Sequence, residues 1–145
     1  MNTEENKEKR PLLRVVLDTN IFISALHSPN GSSGCAWRLA RKRQYQLVTS
    51  PYIIAEVADI LRRHFLWGEE KIVRRLKQLS RAADIIQPTT SIQIVRDPKD
   101  DAIIECAVDG QADMIVSLDK DLLAPNAYSN IHILLVINLW RTLGA

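Results

Sequence analysis

Residues 14–18 read Arg-Val-Val-Leu-Asp, and the fold turns on how that stretch is taken. A short β-branched, apolar run without polar alternation suits a strand buried on both faces. Asp18 falls where that strand hands over to a helix. The same arrangement returns at DMIVSL, residues 113–118, which leads to Asp119. Gln46–Thr49 and Ile131–Val136 read as further strands, and Asp84–Gln87 and Ser91–Val95 as short extended segments around Pro88. Between them lie helical stretches. Cys35–Arg43 is short and basic, and the Gly/Ser/Pro-containing stretch His27–Gly34 before it reads as a loop. Ser50-Pro51 supplies an N-cap and a first-turn proline for an amphipathic helix running to about His64. Glu69–Ala83 turns Ile72, Val73, Leu76 and Leu79 inward, a helix follows from Lys99 or Asp100 to about Val108, and a short one closes the chain near Leu139–Leu143. Strands alternating with helices predict an α/β protein, a three-layer α/β/α sandwich around a mostly parallel sheet of four to five strands. Ligands of such sheets collect beyond the carboxyl ends of the strands, where the strand order reverses.

A chain of 145 residues suits one domain, here 13–145, after a charged lead-in, residues 1–12, that reads as disordered and lacks the apolar core of a signal peptide. No apolar stretch is long enough for a membrane span, and Cys35 and Cys106, far apart and outside any CxxC pattern, read as reduced thiols of a cytoplasmic protein. The net charge of +2 conceals a polarity along the chain. Residues 36–81 carry eleven basic side chains against four acidic ones, whereas residues 97–121 carry eight acids against two lysines. A basic half beside an acidic patch suits a protein that holds a polyanion and gathers cations at one place, although solvated helix faces produce the same asymmetry. The histidines His27, His64 and His132 have no ligand spacing, and neither GxGxxG nor GxxxxGK[ST] occurs, so nucleotide-cofactor and P-loop chemistry are excluded.

The acids carry the chemistry. Asp18 and Asp119 stand at strand ends, where an aspartate also serves as an N-cap. Asp100 shares a helix face with Ile103, Ile104 and Ala107, at i+3, i+4 and i+7, while Asp101, Glu105 and Asp109 fall on the other side. An inward carboxylate is costly unless paired or bound to a metal. Glu56 sits at the edge of the stripe Ile53, Val57, Ile60, Leu61, as a site residue or as a glutamate snorkelling from the core margin. Carboxylates clustered without histidine or cysteine suit hard cations such as Mg²⁺ or Mn²⁺, which serve phosphodiester cleavage.

These residues resemble a known family. VVLDTNIFISAL is similar to the opening of PIN domains, a nuclease fold often found as the toxin of toxin–antitoxin pairs. SPYIIAEVADIL resembles that family's second acidic motif, and DPKDDAIIECAVDGQADMIVSLDKDLL its third and fourth. The resemblance runs from about Arg14 to Trp140 and implies a flavodoxin-like sandwich, Mg²⁺ or Mn²⁺ as cofactor, single-stranded RNA as substrate and an antitoxin as partner. It implies Asp18, Glu56, Asp100 and Asp119 as catalytic metal-binding acids, with Thr19, Asn20, Ser117 and Asp101 as polar supports. Asp121 is either a further ligand or a helix cap. Arg41, Lys42, Arg43, Arg62, Arg63, Arg74 and Arg75 are candidate phosphate contacts, and Trp37, Tyr45 and Trp67 stack bases or pack. Phe65, Leu66 and Trp67, read as exposed, suit a homodimer. Two other readings compete: a phosphatase with Asp18 as nucleophile, which lacks the second aspartate (position 20 is Asn) and a placed lysine, and a catalytically silent module that binds RNA or protein.

Overall fold

The RVVL run is strand β1 (Arg14–Leu17), the middle of a five-stranded sheet in which every pair is parallel. The computed structural model describes residues 12–89, 98–118 and 130–143, the side chains of residues 98–100 and 140 aside. With β2 (Gln46–Thr49), β3 (Ala83–Ile85), β4 (Met114–Ser117) and β5 (His132–Leu135), the spatial order is β3-β2-β1-β4-β5. Val16 lies in register with Val48 on one side and Ile115 on the other. Val15, Val16, Leu17, Leu47, Val48 and Val116 have no exposed surface, as strands covered on both faces require.

The helices are α1 (Thr19–His27), α2 (Ser32–Arg41), α3 (Pro51–Arg63), α4 (Glu69–Ala82), α5 (Pro98–Asp109) and α6 (Leu139–Thr142), the last preceded by a 3₁₀ turn at Val136–Asn138. From β1 the chain steps to β2 and β3 on one side, then returns past β1 to β4 and β5. Right-handed crossovers therefore set α1–α4 on one face of the sheet and α5 on the other. The order reverses between β1 and β4. At the amino edge Arg14 fastens three elements: its Nε donates to the Gly110 carbonyl at 2.8 Å, its Nη2 to Asp84 Oδ2 at 2.7 Å, and its backbone N–H to Asp113 Oδ2 at 2.8 Å.

Several expectations are corrected. Helix α2 begins at Ser32, so Gly34 belongs to its first turn instead of a loop; a Cβ there would lie 1.9 Å from the Pro29 carbonyl oxygen. The helix also stops at Arg41, because Arg43 takes φ 56°. Val73 is 48% exposed and does not face the core with Ile72 and Leu79. Phe65 and Trp67 are half-buried: the Phe65 ring lies 4.7 Å from that of His27, and Lys71 Nζ sits 3.8 Å from the Trp67 ring centroid. Tyr45 is a core residue whose hydroxyl donates to the Ala36 carbonyl at 2.6 Å, so it packs and is not presented to bases. Segment 91–95 and residues 1–11 of the lead-in lie outside the described residues. Among those described, no helix is long and apolar enough to cross a membrane.

Candidate active site

Strands β1 and β4 are neighbours at the reversal of strand order, and Asp18 and Ser117 stand at their carboxyl ends. This is the crevice position of an open parallel sheet. The Asp18 N–H donates to the Val116 carbonyl at 2.9 Å, which extends the strand pairing by one residue before α1 starts. Asp18 is the N-cap of α1, yet its side chain makes no capping hydrogen bond. Its Oδ2 instead accepts a 3.0 Å hydrogen bond from Ser117 Oγ. Both residues are buried, Asp18 at 6% exposure and Ser117 at 0%. Thr19 is buried beside them, and Asn20 is exposed.

Two helices on opposite faces flank this edge. Helix α3 starts at Pro51, and Ser50, immediately after β2, is the expected N-cap, its Oγ accepting from the Ile53 N–H at 3.4 Å. Glu56 follows on α3, half-buried, beside a stripe in which Ile53, Val57 and Leu61 have no exposed surface. On the other face α5 runs from the carboxyl to the amino edge. Its far end brings the Gly110 carbonyl to Arg14, and its middle brings Cys106 near Ser50. The first turn, with Asp100, thus lies toward the carboxyl edge. Ile103, Ile104 and Ala107, the positions in phase with Asp100, are all buried, whereas Asp101, Glu105 and Asp109 are half-buried.

The Asp100 side chain, Asp119 and Asp121 lie outside the described residues. Among the described residues no three His, Cys, Asp or Glu side chains gather as a metal site. The donors that are described, a buried carboxylate held by a hydroxyl, are oxygens and fit a hard cation. Burial pushes the Cys106 thiol up to about 12, so the unligated thiol stays protonated at neutral pH. The sequence reading passed over Thr49, whose hydroxyl is buried at the end of β2 without a hydrogen-bond partner among the described residues. In the run QLVT it has the look of any β-branched core residue.

Some of the candidate phosphate contacts stand away from Asp18. Arg41, Lys42 and Arg43 close α2 just ahead of the amino end of β2, a strand's length of roughly 13 Å from the carboxyl edge. Arg43 Nη2 donates to the Arg81 carbonyl at 3.3 Å, and Arg41 lies 6.0 Å over the Trp37 ring. Arg62 is bonded to Glu69 through two nitrogens, Arg63 pairs with Asp59 at 3.0 Å, and Arg75 donates to Gln78 at 3.2 Å. Arg74 stands on the exposed side of α4.

A family model described as PIN domain matches residues 14–121, a span that takes in Asp18, Glu56, Asp100, Asp119 and Asp121. The chain is similar to an uncharacterized protein of Methanocaldococcus jannaschii, at 34% identity over 137 residues, 88% of each chain. Among solved structures it is similar to a chain of VapBC2 from Rickettsia felis, crystallised bound to a DNA fragment from their promoter. There the TM-score is 0.59 and the identity 16%, over 85% of this chain and 98% of that one, a likeness of fold.

Proposed function

The chain belongs to the PIN-domain family, a family of nucleases, and on that premise we propose that it is a metal-dependent endoribonuclease that cleaves single-stranded RNA. The observation that carries the reading is Asp18. That this carboxylate makes no capping hydrogen bond to α1 and is bonded to Ser117 at the strand-order reversal supports a ligand-binding role for it. In this reading Asp18, Glu56, Asp100 and Asp119 hold Mg²⁺ or Mn²⁺, Thr19, Asn20, Ser117 and Asp101 support them, and Asp121 adds a ligand or caps a helix. A divalent cation supplies Lewis acidity for attack on a phosphodiester. Asp18 supplies a fixed negative charge, and Ser117 fixes its orientation by donating to Oδ2. Asn20, exposed two residues after Asp18, would meet the substrate backbone in this reading.

The reading extends to a toxin-like role in the cytoplasm, with an antitoxin as partner; the fold neighbour VapBC2 is itself crystallised bound to a DNA fragment from their promoter. The test is cleavage of a labelled single-stranded RNA pool with Mn²⁺, Mg²⁺ or EDTA, comparing the wild-type chain with Asp18→Asn and Asp100→Asn. Cleavage that requires metal and falls at least about a hundredfold in each variant is expected, the scale set by loss of an electrostatic group at a reacting centre. A folded wild-type chain that binds RNA and cuts none with either metal would instead favour the silent binding module.

A further inference from the structure

We propose that Tyr52 is a base-stacking residue of the carboxyl edge, its ring receiving an unpaired base of the RNA next to the phosphodiester that is cut. The inference rests on the ribonuclease reading above and deepens it with a substrate subsite. Tyr52 is the second residue of α3 and is 48% exposed. The other described phenylalanine, tyrosine and tryptophan rings are engaged. Phe22 and Trp37 meet edge to face at 6.5 Å, Tyr45 is buried on the Ala36 carbonyl, Phe65 lies against His27, and Trp67 carries Lys71 on its ring. Tyr52 has neither a ring partner nor a hydrogen bond among the described residues. An exposed ring on its own would mean little; its position gives it a use.

That position follows from the sheet. Val16 lies opposite Val48, and continuing the register sets Asp18 opposite Ser50, one strand spacing of about 5 Å away. These two residues are the N-caps of α1 and α3, so the two helices start side by side at the carboxyl edge. Asn20 and Tyr52 hold equivalent places, each second in its helix, and both are exposed. Glu56 follows Tyr52 by four residues, one turn along the same side of α3. On the other flank of β1, Leu118 follows Ser117 at the end of β4 and is 45% exposed. Exposed apolar side chains therefore stand on both flanks of the strand that carries Asp18.

The chemistry selects the occupant. Carboxylates that hold a cation suit a phosphate group, and a free ring beside them suits a flat apolar face. An unpaired nucleotide brings both together. A base within a duplex keeps its faces stacked on its neighbours, so a ring at this place favours single strands. Every base has such a face, which makes the contact tolerant of sequence.

The test uses the full chain, a short RNA carrying 2-aminopurine, whose fluorescence falls when the base stacks, and the substitutions Tyr52→Phe and Tyr52→Leu. Position 52 is exposed, and circular dichroism checks that each variant is folded. In the Asp18→Asn background, where the reading expects no cleavage, Tyr52→Leu should weaken binding of the single strand about tenfold and remove the quenching, whereas Tyr52→Phe keeps both. That factor corresponds to about 1.4 kcal/mol. With Asp18 intact and Mn²⁺ present, Tyr52→Leu should raise KM by a similar factor with little change in kcat, the mark of a contact made equally before and during the reaction. If Tyr52→Leu binds and cuts the single strand like its parent, or a duplex binds as tightly as the single strand, the stacking role is overturned while the ribonuclease stands. RNA that is never cut but is quenched only when a ring stands at position 52 would uphold the stacking and overturn the catalytic reading. RNA that neither binds nor is cut overturns both.

Discussion

A carboxylate at the start of a helix ordinarily accepts from the helix's own first amides, and that use would account for Asp18 without any ligand. Its hydrogen bond goes sideways instead, to Ser117 on the neighbouring strand, within a buried edge where a charge is costly. Ser117 is thus a positioning residue, and removing its hydroxyl tests that. Ser117→Ala should weaken Mn²⁺ binding about tenfold to a hundredfold, the usual effect of losing a partner that orients a ligand. Calorimetric titration reads the affinity directly, and Ser117→Thr, which keeps the hydroxyl, should recover part of it. Thr49 presents the opposite case, a buried hydroxyl without a partner among the described residues. Thr49→Val keeps the shape and discards the unsatisfied group. It should stabilise the fold by about 1 kcal/mol in chemical denaturation, whereas a loss of stability would mean that the hydroxyl has a partner.

The elements show where the sequence was informative and where it was not. The apolar runs at residues 14–17, 46–49 and 114–117 located their strands because buried parallel strands carry no polar alternation to blur them. Ser50-Pro51 likewise marked the start of α3 by chemistry that few other positions tolerate. Helix ends were harder, because the left-handed positions that close them are not held by glycine, the usual marker of such a cap. The left-handed residues are Arg43, Leu66 and Gln111. After α2 the Gln44 N–H reaches back to the Leu39 carbonyl at 3.0 Å, and after α5 the Ala112 N–H reaches the Ala107 carbonyl at 2.9 Å, the same closing bond with a non-glycine at the turn. A reading that waits for glycine therefore runs the basic helix on to Arg43, two residues too far. Gly34 misleads in the other direction, since it is present so that α2 can approach the Pro29 turn and not to break a helix. At the site, Asp18 was legible because it ends a strand, while its bond to Ser117 spans 99 residues and has no local signature. Gln111→Gly follows from the same argument: relief of a left-handed side chain should raise stability by about 1 kcal/mol, measured by thermal or urea unfolding.

At the scale of the whole molecule the two edges of the sheet are built differently. The amino edge is closed by neutralised contacts, with Arg14 joining β1 to Asp84 on β3, to Asp113 ahead of β4 and to the end of α5. The carboxyl edge holds a buried carboxylate at the reversal of strand order, and the elements that leave it, α1 and α3, lead into the core. A cation bound there would bind the folded chain and not the unfolded one, since the acids come from distant parts of the sequence. Binding must then appear as stability. At a Mn²⁺ concentration about one hundred times the dissociation constant, linkage adds about 2.7 kcal/mol. For a chain of this size that corresponds to a rise in Tm of roughly 5–10 °C. EDTA should reverse the rise, and Asp18→Asn should abolish most of it while remaining folded. Thermal unfolding with and without the metal makes the comparison with no RNA present. A Tm that does not respond to Mn²⁺ or Mg²⁺ at any concentration would remove the metal from the proposed site, whatever the cleavage assay returns.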